Sequence, residues 1–91
     1  MTDSIINFIK GLLREYEEKT GLSCFIIANK MGIEPSNYYK YREGDGNPTC
    51  KTIDKILEVV MDEQPEIMVQ MLEEELEIVR AAVELVKGSG R

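Results

Sequence analysis

The chain contains no histidine, which removes the side chain that most often serves as a general base or metal ligand near neutral pH. Its two cysteines, Cys24 and Cys50, cannot complete a four-ligand zinc site without histidine, and they are too few for a disulfide-dense scaffold. Both read as buried or half-buried free thiols. No nucleophile–base constellation and no glycine-rich phosphate loop can be named, so the expectation is a protein that is not an enzyme and uses no cofactor or metal. Long apolar runs are lacking too: Ile5 to Leu13 and Cys24 to Met31 are broken by polar residues, short of the ~18 residues that read as a membrane span. The opening Met1-Thr2-Asp3-Ser4 has none of the basic flank of a signal peptide, and a cytoplasmic location is expected. There are three prolines and no internal repeats.

What remains is an ordinary globular balance. Hydrophobic residues make up 43% and charged residues 31% of 91 positions, enough for one domain with a modest core and an appended helix, but not for two cores. The net charge of -6 is unevenly spread. Between Leu22 and Val60, Lys30, Lys40, Arg42, Lys51 and Lys55 balance Glu34, Glu43, Asp45, Asp54 and Glu58. The excess acid sits in Glu15, Glu17 and Glu18 and in Glu73-Glu74-Glu75-Leu76-Glu77, where it can face away from a polyanion.

Five helices are expected. From about Ser4 to Lys19, Ile5, Phe8, Ile9, Leu12, Leu13 and Tyr16 recur at three- and four-residue spacing, the pattern of one buried stripe. Within it Gly11 marks either close helix packing or a tolerated surface glycine. Thr20-Gly21 stops this helix and Ser23 can cap the next, from Cys24 to Met31. After a turn at Gly32, a third helix opens on Pro35, whose fixed φ suits a first helical position, and covers 35–43. Glu43 to Pro48 is loop by composition, and Thr49 can cap a fourth helix with Ile53, Ile56, Leu57 and Val60 on one face. Asp62-Glu63-Gln64 breaks the pattern, and Pro65 starts a fifth helix that runs to Lys87. Residues 89–91 read as a disordered tail.

The middle segment meets the requirements of a helix-turn-helix: a small residue at the crossing (Ala28), a glycine for the turn (Gly32), and an inward set of Ile27, Met31, Ile33, Tyr38 and Tyr41. With Leu22-Ser23, the Asn47-Pro48-Thr49 loop and Thr52-Ile53 with Ile56-Leu57, this stretch resembles the phage lambda repressor and Cro family of regulators, also called the XRE family. The resemblance covers residues 22–60. It implies an all-α fold, a lambda-repressor-like domain of four or five helices over 1–63 followed by a long C-terminal helix, with the third helix in the DNA major groove. It also implies readers of base edges and phosphates at Ser36, Asn37, Tyr39, Lys40, Arg42 and Lys51. Asn37 suits adenine and Lys40 suits guanine; Arg42 suits either a backbone phosphate or a nearby carboxylate. Three positions depart from the family pattern: Cys24 replaces a phosphate-clamping glutamine, Pro35 a polar reader, and Glu43 an asparagine or a basic residue.

From Val69 onward, apolar residues fall at Val69, Leu72, Leu76, Val79, Val83 and Val86, alternating steps of three and four, which is a heptad seam. A second stripe, Met68, Met71, Ile78, Ala82 and Leu85, runs beside it, so one stripe can dock on the domain while the other meets a second copy. The segment 64–88 is therefore expected to be an oligomerisation helix. The leading expectation is a homodimeric, sequence-specific DNA-binding regulator of phage or mobile-element type. The alternative is an acidic protein of the same fold that binds another protein, as an antirepressor, inhibitor or assembly adaptor. Lys10, Lys40, Arg42 and Lys51 on one face would favour DNA; Glu34, Glu43 and Asp45 dominating that face would favour the alternative.

Overall fold

In the computed structural model, which describes residues 3–89, the chain is all-α. Five helices follow one another: α1 (Asp3–Thr20), α2 (Cys24–Met31), α3 (Pro35–Arg42), α4 (Cys50–Glu63) and α5 (Pro65–Ser89). The boundaries follow from local chemistry. Ser23 and Thr49 stand in extended conformation and accept hydrogen bonds from the Ile26 and Thr52 amides at 3.3 and 3.2 Å, satisfying donors that a helix start leaves open. Gly32 closes α2 at φ 70°, donating to Asn29 O while Ile33 N–H reaches Ala28 O at 2.9 Å. That left-handed stop lets the chain reverse into α3 within three residues.

The core is one cluster to which all five helices contribute. Ile9, Leu12, Leu13 and Tyr16 from α1 meet Ile27, Ala28 and Met31 from α2, Tyr38 from α3, Ile56 and Val60 from α4, and Ile67 and Met68 from α5. Ile33 fills the turn between α2 and α3. No polar or charged side chain is buried among the described residues. Truncating Leu12 or Leu13, both fully enclosed, to alanine would cost about 2–5 kcal/mol, since the surrounding side chains relax only partly into the cavity left behind. Gly11 lies against α5: a Cβ there would stand 3.0 Å from Met71 Cε. Of the two readings of this glycine, close packing is the one realised.

Four expectations shift in detail. Helix α3 ends at Arg42 with Glu43 as its C-cap, one residue short of the expected 35–43. Helix α4 continues through Asp62 and Glu63, and the break falls on Gln64 alone, at φ -139°. Ser89 closes α5 and does not open a tail, while Gly90 and Arg91 lie outside the described residues. Cys50 is an exposed thiol, because the first turn of α4 faces solvent, whereas Cys24 is half-buried as expected.

Only the first two turns of α5 join the core. Beyond Met71 the helix projects from the body, which gives the molecule extents of 52 × 25 × 19 Å. No helix among the described residues is long and apolar enough to cross a membrane.

Candidate nucleic-acid interface

Helix α3 has only eight residues and little apolar content, so it depends on its neighbours for position. Tyr38 supplies most of the hold. Its ring is fully buried and its hydroxyl donates to Glu17 Oε2 at 2.8 Å. Arg42, one turn further on, donates from Nε to the same oxygen at 2.7 Å and from Nη2 to Glu17 Oε1 at 2.8 Å. The thiol of Cys24 points at Glu17 Oε2 as well, at 3.6 Å. One carboxylate of α1 therefore gathers donors from α2 and α3. Its side chain and that of Arg42 are 16% and 21% exposed, a setting in which charge-assisted bonds count for more than on an open surface.

These contacts act on proton equilibria. Burial alone would raise the Glu17 pKa, but the hydrogen bonds from Arg42 and Tyr38 outweigh it and hold the carboxyl below its ordinary value. The same bonds raise Arg42 further, and burial together with Glu17 raises the Tyr38 hydroxyl. A second tie brings in α4. Tyr16 donates to Glu63 Oε1 at 2.9 Å, and Lys30 pairs with the same oxygen, linking α1, α2 and α4.

With its inner face fixed, α3 turns Ser36, Asn37, Tyr39 and Lys40 to solvent. Helix α3 carries no acidic residue. The side chains of Ser36, Asn37 and Lys40 make no hydrogen bond or ion pair within the described structure, nor does that of Lys51 on the exposed first turn of α4. Tyr39 stands 54% exposed, its ring centroid 5.9 Å from the Arg42 guanidinium. Of the two roles open to Arg42, the carboxylate pair is the one present: it belongs to the α1–α3 packing and lies outside the free polar face.

The charges around this face are mixed. Lys10 lays its side chain against Gly44 in the loop between α3 and α4, and Lys40 stands beside Gly46 in the same loop. Glu43 is neutralised by Arg14 at 3.2 Å and by Arg42 at 2.6 Å, and Arg14 Nε also donates to Arg42 O. Glu34, at the N-cap of α3, and Asp45 remain exposed and acidic. Thus Lys10 and Lys40 flank one loop, while Arg42 is engaged by Glu17 and Glu43.

Helix α5 is exposed on every side beyond Met71. Val69, Leu72, Leu76, Val79, Val83 and Val86 are all exposed, while of the second stripe only Met68 and Met71 dock on the body. An apolar groove lined by Ile5, Phe8, Leu72 and Glu75 joins the seam to the start of α1. A broader groove between α2 and α4 is lined by Lys30, Met31 and Lys55. Its lysines are engaged, Lys30 by Glu63 and Lys55 by the Gly32 carbonyl at 3.2 Å.

Sequence reading missed the supports of this surface: Glu17, Arg14 and Glu63 carried no local signal, because their partners lie on other helices. It also missed the outward Phe25 and Ile26 on the first turn of α2, 62% and 47% exposed. No family model matches the chain, and neither does any curated protein or solved structure.

Proposed function

We propose that this chain is a homodimeric DNA-binding regulator of the lambda-repressor type, working in the cytoplasm without catalytic activity. In this reading α2 and α3 form a helix-turn-helix, and α3 is the helix that enters the major groove. The observation that carries it is the outer face of α3: Ser36, Asn37 and Lys40 make no hydrogen bond or ion pair among the described residues and Tyr39 beside them rests on Arg42, on a helix without an acidic residue that Tyr38 and Arg42 tie to α1. Rigid placement matters because base readout needs side chains held in register with the groove. Asn37 offers the amide pair that matches adenine N6 and N7, and Lys40 a donor for guanine O6 and N7. Lys51 and Lys10 supply phosphate contacts at the rim. Seam residues of α5 join two copies, since two recognition helices must reach successive major grooves about 34 Å apart.

Fluorescence anisotropy on random duplex DNA tests this reading, run at low and moderate salt with Lys40→Glu as the paired control. Binding that weakens steeply with salt, and that Lys40→Glu reduces by about tenfold or more, is the expected result. Absence of binding even at low salt would remove the DNA reading. A second reading would then stand, a module that grips another protein. It draws on the net charge of -6 and on the exposed Phe25 and Ile26, since acid weakens attraction to phosphate and large outward apolar side chains favour protein contact.

A further inference from the structure

The charge along α5 is as asymmetric as its apolar seam is regular. Its first half, 65–77, carries Glu66, Glu73, Glu74, Glu75 and Glu77 and no base; its second half, 78–89, carries Arg80 and Lys87 against Glu84 alone. Like orientation of two such helices sets the acidic halves side by side. Opposite orientation sets each acidic half along the other copy's weakly basic half. A parallel pair does gain Glu75 beside Arg80, but it retains the repulsion among the remaining carboxylates.

We propose that two copies of this chain pair through α5 in antiparallel orientation, the distal half of each α5 covering the groove that Ile5, Phe8 and Leu72 form on the other. The proposal rests on the self-association part of the functional reading and is independent of DNA binding. Seam spacing fixes the register. With the two-fold axis between Glu77 and Ile78, Leu76 meets Val79 of the other copy, Leu72 meets Val83, and Glu73 comes beside Arg80. Val83 then lies over the Ile5–Phe8–Leu72 groove, which is continuous with the seam. Covering the half-exposed seam from Val69 to Val83 together with Ile5 on both copies removes on the order of 1,000 Å² from water, at the threshold of a specific interface. The geometry also separates the two bodies: the points where Met68 docks fall about 30 Å apart along the paired helices at ~1.5 Å per residue. That matches the order of the spacing between successive major grooves.

Single cysteines decide the orientation. In a Cys24→Ser, Cys50→Ser background, Leu72→Cys and Val83→Cys are made separately, oxidised alone and as a mixture, and separated without reductant. Both positions are exposed and outside the core, and circular dichroism checks that each variant folds. The expected outcome is a covalent dimer from the mixture and none from either protein alone. Cross-linking of either protein alone to the same extent as the mixture would show parallel pairing and overturn the proposal. So would sedimentation of the parent chain as a monomer at about 100 µM, whatever its DNA binding. Arg80→Glu is expected to weaken the dimer about tenfold and Glu73→Lys in the same chain to restore it; failure of that restoration would remove the register. A dimer cross-linked as expected but inert toward duplex DNA would leave this inference standing and remove the DNA reading.

Discussion

Glu17 is the residue on which the position of α3 turns, and its role rests on partners 7, 21 and 25 positions away. Because its folded pKa is depressed, it contributes stability that is fully present above the ordinary glutamate range and is lost as pH falls through the lowered folded value. Glu63 behaves alike, lowered by the hydrogen bonds from Lys30 and Tyr16. The urea midpoint is therefore expected to fall as the pH drops through and below the ordinary glutamate range. Glu17→Gln, which keeps the shape but removes the charge, is expected to cost about 2 kcal/mol at neutral pH and to flatten that acid limb. A variant whose midpoint falls with acid as steeply as the parent's would show that the ion pair with Arg42 has no part in the fold. None of this was legible in the sequence, where Glu17 looked like one of three surface acids of the first helix. Periodicity reports on residues three and four apart on one helix; it is silent about a carboxylate and a guanidinium on different helices. The same limit left Arg42 open between phosphate and carboxylate until its partner was located.

At the scale of elements the sequence was far more informative, and the reason is that helix ends are written locally. Ser23, Gly32, Pro35, Thr49 and Pro65 each act through their own φ or through a bond within four residues, so α2 begins and ends where those residues require. Helix α3 was legible only by its punctuation, since Tyr38 and Tyr41 lie within a mostly polar stretch. Two glycines separate conformational from steric demands. Gly32 sits at φ 70° with no atom nearer than 3.9 Å to a built Cβ, so Gly32→Ala is expected to lower stability by about 1 kcal/mol through backbone strain alone. Gly11 is helical, and its added methyl would press only on the terminal methyl of Met71, the movable end of a flexible side chain. Alanine there regains helix propensity worth up to ~1 kcal/mol, of which displacement of Met71 offsets a part. Gly11→Ala is thus expected to raise the midpoint slightly and Gly32→Ala to lower it, as thermal melts followed by circular dichroism would record. A fall for Gly11→Ala would mean that the α1–α5 contact cannot yield.

For the whole molecule, the division of α5 into a docked and a projecting part decides how stability and association are coupled. Ile67 and Met68 are in the core and Met71 packs against it, whereas beyond Leu72, which lines the groove with Ile5 and Phe8, the side chains of the projecting part are exposed. A helix that reaches beyond its own body loses little to the body when shortened, because surface positions away from packing contribute within about 0.5 kcal/mol each. A chain ending at Glu73 is therefore expected to melt within a few degrees of the parent when both are dilute and monomeric. It would lose the concentration dependence that association imposes on the parent. The shortened chain also sheds Glu74, Glu75, Glu77 and Glu84 against Arg80 and Lys87, with Arg91 beyond the described residues, so its charge turns less acidic. Charge alone would then strengthen attraction to DNA, while loss of the second subunit would weaken it through the effective concentration of a linked site. The two effects oppose each other, and their sizes differ: one unit of net charge remote from α3 is screened over about 8–10 Å, whereas bivalency is worth about a hundredfold or more. Anisotropy titrations of the two chains on the same duplex are expected to show the shortened one binding at least about tenfold more weakly. Equal or tighter binding by the shortened chain would mean that α5 does not serve DNA recognition and that its seam is reserved for another task.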